Sequence, residues 1–182
     1  MNKISRDFYV KRGEREMLYQ FTTNSDIFNC KKPIYKMLKE IFIKGIPEEV
    51  IGYQSISEGE LLNINKEREE KGFICLADNY ENRGNKQHEF VQNNFIEQDD
   101  YLLGIEVPVW SHKLKIFGHI DILRLVDNKI QILDFKPKAH QEKKAPSQVF
   151  RYGVCIAEMI GCSIKDLEMY YFDDKNCFKI LL

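Results

Sequence analysis

The sequence predicts one α/β domain built around a mixed sheet, and three observations lead there. Apolar residues fall at helical spacing in the first half, the pattern turns to strand-like runs from Tyr101 onward, and one well-bracketed helix separates the last strands. In residues 33–43, Ile34, Met37, Leu38, Ile41 and Phe42 make a single helical stripe. A more solvated helix is expected over 58–71, where charged residues outnumber apolar ones. Residues 84–96 place His88, Val91 and Phe95 at i, i+3 and i+7, so this histidine shares the face that meets the core. Strands follow at 102–110, 114–126 and 129–136, rich in Val, Ile, Leu and Phe, with the first two joined through 111–113. The next helix covers 147–160; Pro146 suits its first turn and Gly161 its C-terminal stop. A hairpin of 167–172 and 178–181, turning through 173–176, closes the pattern. On this reading 1–83 is a mostly helical N-terminal part and 84–182 the core of one domain of 1–182.

The 27 Lys and Arg against 28 Asp and Glu leave a net charge of −1, so a nucleic-acid partner has to be argued from local charge, not from a global field. No stretch approaches the ~20 apolar residues that span a bilayer, and Met1 to Val10 lacks the apolar centre of a signal peptide. The expectation is a soluble, cytoplasmic protein without a membrane partner. Cys30, Cys75, Cys155, Cys162 and Cys177 are widely spaced and include no C-x-x-C pair, which points to free thiols in a reducing compartment.

The chemistry gathers at the second and third of those strands. Asp127 and Asn128 suit a two-residue hairpin turn, which sets Val126 opposite Lys129. Stepping back equally along both strands brings Asp121 opposite Asp134, and strand alternation puts Lys136 on the same side as Asp134. Two opposed carboxylates in a half-buried sheet repel, and a divalent cation offsets that cost. Carboxylate oxygens suit Mg2+ or Mn2+, and His88 is the candidate imidazole. The alternative is that the two acids end the strands in solvent, or that one forms a simple ion pair with Lys136. On the following helix Gln148 and Tyr152 stand at i and i+4, on one face beside the core-packing Val149, Gly153, Ile156 and Ile160. Residues 136–151 carry Lys136, Lys138, Lys143, Lys144 and Arg151 against the single acid Glu142, a local excess of +4 that would attract phosphates. A solvated lysine-rich loop is the plainer account of the same residues. His112, His119 and His140 read as surface or packed side chains.

In order, the helix with Gly84 and His88, the strand Gly104-Ile105-Glu106-Val107-Pro108-Val109, then Phe117-Gly118-His119-Ile120-Asp121, Ile132-Leu133-Asp134-Phe135-Lys136, and Gln148 with Tyr152 resemble the RecB-like branch of the PD-(D/E)XK nuclease superfamily, including its CRISPR-associated and viral members. The resemblance covers roughly 84–172 and implies a restriction-endonuclease-like core: a central mixed sheet flanked by helices. It further implies that His88, Asp121, Asp134 and the Phe135 carbonyl hold one or two Mg2+ or Mn2+ ions, with Lys136 beside the attacking water and Gln148 and Tyr152 supporting the site. The implied activity is hydrolysis of phosphodiester bonds, in DNA ahead of RNA and by an exonuclease ahead of an endonuclease. For a viral member the place of action would be inside an infected host cell. Glu106 is given a supporting role, and Lys138, Lys143, Lys144 and Arg151 would meet the substrate. Pro137 departs from the small polar residue and glycine of many relatives, and the cysteine spacing does not match an iron–sulfur cluster. The alternative is a catalytically inactive nucleic-acid-binding or assembly protein on a nuclease-like fold.

Overall fold

The computed structural model describes residues 2–12 and 15–182. In chain order its elements are β1 (Lys3–Arg12), β2 (Arg15–Asn24), α1 (Pro33–Lys44), the single turn α2 (Glu48–Ile51), β3 (Gln54–Ser55), β4 (Lys66–Arg68), α3 (Gln87–Gln98), β5 (Leu102–Ser111), β6 (Ile116–Val126), β7 (Lys129–Phe135), α4 (Ala145–Ile160), β8 (Leu167–Phe172) and β9 (Cys177–Ile180). The strands form one mixed sheet in the order β1-β2-β5-β6-β7-β8-β9-β4, with β3 pairing alongside β6 in parallel. β7 and β8 are parallel, and α4 is the crossover between them. The α/β class and the mixed sheet stand as expected, and no helix among the described residues is long and apolar enough to cross a membrane.

Two expectations for the first 83 residues are overturned. The chain begins with an antiparallel hairpin, β1 on β2, not with helix; β2 then joins β5 through Thr22 and Thr23. Phe8 and Phe21, an even number of positions from one another within the pairing, bury against α1, and that tertiary partner is what makes strands of a heavily charged stretch. Nor is 58–71 a helix. Ile56–Glu58 is a short 3-10 turn, and the chain then runs without regular structure to β4, which pairs with β9. Without an apolar stripe this segment has nothing to hold it as a helix, and hydrogen bonds to its backbone fix it instead: Leu62 N–H donates to Ser147 Oγ at 2.8 Å and Arg151 donates to the Glu60 carbonyl at 2.6 Å. Gly84 precedes α3 in a non-helical conformation, so the helix starts at Gln87.

Each sheet face carries its own core. On one, α1 and α4 cover Leu103, Val107, Val109, Ile120, Leu123 and Ile132. On the other, Val91 and Phe95 of α3 meet Ile105, Ile122, Leu133, Phe135 and Phe172. Pro146 and the left-handed Gly161 bracket α4 as the sequence implied. Gly153 brings α4 close to β8, where an added methyl would collide with Met169 Sδ.

A polar tie crosses three strands at the far end of the sheet. Arg124 on β6 meets both oxygens of Asp99, at 2.7 and 3.1 Å, and donates to Gln131 on β7 at 2.9 Å; Gln131 reaches Glu168 on β8 at 2.8 Å. Arg124 and Asp99 are each 8% exposed. Asp99→Ala leaves that guanidinium buried without its carboxylate and is expected to cost about 3–5 kcal/mol in urea unfolding. A loss below about 1 kcal/mol at constant slope would mean that solvent screens the pair.

Candidate metal and catalytic centre

β6 and β7 pair from Val126↔Lys129 to Ile122↔Leu133, the register set by the left-handed Asp127 and Asn128 turn. One step further stand Asp121 and Asp134. Here the ladder opens, and the Asp121 side chain takes the place of a rung: its Oδ2 accepts the Phe135 N–H at 2.9 Å. On the other side of β6, Ile105 pairs with Ile122 and Val107 with Ile120, which sets Glu106 opposite Asp121. Glu106, Asp121 and Asp134 therefore form one row across β5, β6 and β7. The two core faces exchange at this row: Ile105 and Ile122 belong to the α3 side, Val107 and Ile120 to the α4 side. Glu106 achieves the change with φ 52, a left-handed conformation that costs a non-glycine residue about 1–3 kcal/mol.

Helices supply the partners. From α3, His88 Nδ1 lies 3.5 Å from Asp121 Oδ2, its ring edge-on to Phe135 with centroids 5.1 Å apart. One turn later Gln92 donates to Glu106 Oε1 at 2.5 Å. Lys136 Nζ is 2.7 Å from Asp134 Oδ2. Apart from that ammonium, neither Asp134 oxygen has a hydrogen-bond partner, although the residue is 0% exposed. On α4, Gln148 Nε2 donates to the Tyr152 hydroxyl at 2.8 Å. The Tyr152 ring packs so closely on β6 that a methyl at Gly118 would stand 3.0 Å from it.

Charge follows burial. Burial first, and Asp121 second, push the Glu106 carboxyl up to about 7. Asp134 is raised to about 6, because burial together with Asp121 outweighs the Lys136 ammonium. Asp121 is held low in spite of burial by His88, Lys136 and the Phe135 N–H. The hydrogen bond to Asp121 raises His88 against the effect of burial. Lys136 is likewise raised, its burial overcome by Asp134 and Asp121. Burial and then the charges of Asp134 and Asp121 lift the Tyr152 phenol well above its ordinary range, which places Tyr152 within the field of the same carboxylates.

The structure thus brings His88, Asp121, Asp134, Phe135, Lys136, Gln148 and Tyr152 to one region and adds Glu106 to the row. His119, two residues before Asp121, is stacked on Tyr19 at 3.8 Å and forms part of the packing. The basic segment divides. Lys138, Lys143 and Lys144 are exposed, and the segment is fastened through the Lys138 N–H to Tyr80 and the Ala139 N–H to Asp173. Arg151 is the exception, its guanidinium lying against Gly59 and bonded to Glu60, which removes it from the loop's free cations.

The residues suit a hard divalent cation. Three carboxyl groups stand with one ammonium, burial raises two of them, and the wholly buried Asp134 has no partner but the Lys136 ammonium. As the side chains stand, no three His, Cys, Asp or Glu among the described residues are grouped closely enough to hold an ion, and Lys136 is the cation beside Asp134. A cleft of about 660 Å3 between α1 and the end of α4, lined by Met37, Ile41, Trp110, His112 and Met159, lies apart from this row. No protein-family model matches the chain, and neither the curated proteins nor the solved structures include a match to it.

Proposed function

We propose that this chain is a divalent-metal-dependent nuclease on a restriction-endonuclease-like core, hydrolysing phosphodiester bonds. One observation carries the reading: the Glu106–Asp121–Asp134 row at the opening of β6 from β7, with the wholly buried Asp134 partnered by Lys136 alone. Asp121, Asp134, His88 and the Phe135 carbonyl are the residues that would hold Mg2+ or Mn2+, with Glu106 as a third carboxylate. Such an ion supplies a lowered pKa for bound water and charge compensation at phosphorus. Lys136, permanently charged here, orients the nucleophile and stabilises negative charge developing on the phosphoryl oxygens. Tyr152, held by Gln148 and kept protonated, offers a neutral donor to the same region. His88 steadies the carboxylate form of Asp121. DNA as the substrate, and attack from chain ends, follow from the sequence resemblance.

The second reading, a catalytically inactive nucleic-acid-binding or assembly protein on the same fold, draws on the ammonium that already neutralises Asp134 and on the absence, among the described residues, of three grouped ligands. Cleavage assays on linear and circular, single- and double-stranded substrates with Mg2+, Mn2+ or chelator decide between the two. Metal-dependent products from the wild type, absent in Asp134→Asn, support the nuclease. Binding without cleavage on every substrate supports the second reading.

The exposed lysines give an independent check on the partner. Lys143→Ala with Lys144→Ala is expected to weaken nucleic-acid binding and to lower the slope of log K against log salt by about 1.4–1.8, while Mn2+ affinity stays unchanged. Equal affinities at low salt would assign these side chains to solvent.

A further inference from the structure

We propose that Gln92 is a positioning residue for the carboxylate row: it fixes the Glu106 side chain, so that α3 sets two carboxylates at once, His88 acting on Asp121 and Gln92 on Glu106. This rests on the metal-dependent reading above and deepens it. Gln92 lies four residues after His88, one helical turn along the same face. Its amide meets Glu106 Oε1 at 2.5 Å, while His88 is 3.5 Å from Asp121 Oδ2. The two acids they hold face one another across β5 and β6.

Glu106 is where a holder is needed. Its left-handed backbone sits inside a strand at the point where the sheet exchanges core faces, and a conformation of that kind persists only where its surroundings fix it. The fixing group arrives on a rigid element, since Val91 and Phe95 anchor α3 with 0% exposure. An amide is also the right chemistry. It donates to Glu106 without bringing a charge of its own, so it fixes the carboxyl without competing with a cation; lysine or arginine at this position would place a positive charge there, and a second acid would add repulsion.

A thermodynamic cycle of wild type, Gln92→Met, Glu106→Gln and the double variant tests this by two readouts, Mn2+ affinity from calorimetry and urea unfolding in chelator. Gln92→Met is expected to lower Mn2+ affinity about 10-fold and to reduce kcat, with KM for nucleic acid unchanged. In the Glu106→Gln background the same substitution should change Mn2+ affinity no further. An equal loss in both backgrounds overturns the inference, because Gln92 would then act through the helix and not through Glu106. The unfolding cycle reads the Gln92–Glu106 coupling with no metal present, so additive destabilisation there overturns the positioning role by itself. A wild type that shows the coupling yet binds no Mn2+ overturns the metal reading, and the positioning role falls with it.

Discussion

At pH 8 in chelator, Asp134→Asn is expected to unfold at a higher temperature than the wild type, and excess Mn2+ should reverse the order. The first half follows from burial. The Asp134 carboxyl is held at about 6 against an ordinary 3.8, so the folded chain binds that proton more tightly than the unfolded one. This contribution to stability is fully present below about pH 3.8 and is lost as pH rises through about 6. Asparagine keeps the shape of the protonated acid and so retains at pH 8 what the wild type has lost. Lys136 does not change the sign, because its attraction for Asp134 is already included in a carboxyl that remains raised. The second half follows from linkage. An ion at 100 times its dissociation constant stabilises the wild type by about 2.7 kcal/mol, roughly 5–10 °C for a domain of this size. Asp134→Asn, lacking a ligand, should gain little and should lose cleavage by at least about 100-fold. Thermal scans at pH 4 and pH 8, with and without Mn2+, make the measurement. An equal Mn2+ shift in both proteins would place the ion elsewhere.

Lys136→Met should separate catalysis from binding. The ammonium stands 2.7 Å from Asp134 Oδ2, where it competes with any cation for that oxygen. Its removal is expected to leave Mn2+ affinity equal to or above that of the wild type, while single-turnover cleavage falls about 100- to 1000-fold for want of a charged group at the developing oxyanion. Calorimetry and rapid-quench cleavage on the same preparation give both numbers. If affinity and cleavage fall together, Lys136 is a structural counter-charge of the acids and has no separate role in the reaction.

The part of the centre that could be read from the chain is the part fixed by local geometry. A two-residue turn and strand alternation were enough to predict the opposition of Asp121 and Asp134, and the pairing follows that register to the rung before them. Helical spacing likewise put His88 with Val91 and Phe95, and Gln148 with Tyr152. Glu106 was harder to place, because in a regular strand no side chain at that position is singled out; its role comes from a left-handed backbone that no propensity foretells for glutamate. Gln92 carried no signal at all, being one of several amides on a polar helix. Arg151 was counted with the loop cations because charge in a sequence does not show which groups are already bonded.

By itself the sequence determined the α/β class, the run of strands from β5 to β7 followed by the helix α4, and the register that leads to Asp121 and Asp134. These depend on periodicity, turn chemistry and helix ends, which act over a few residues. Only the tertiary structure decided that β1 and β2 pair against α1, that 59–65 is irregular chain bonded to Arg151 and Ser147, and that the sheet exchanges faces at Glu106 and Asp121. Each of those depends on a partner distant in the chain. Apolar burial and backbone hydrogen bonding can override a charged or turn-poor segment once such a partner is in place.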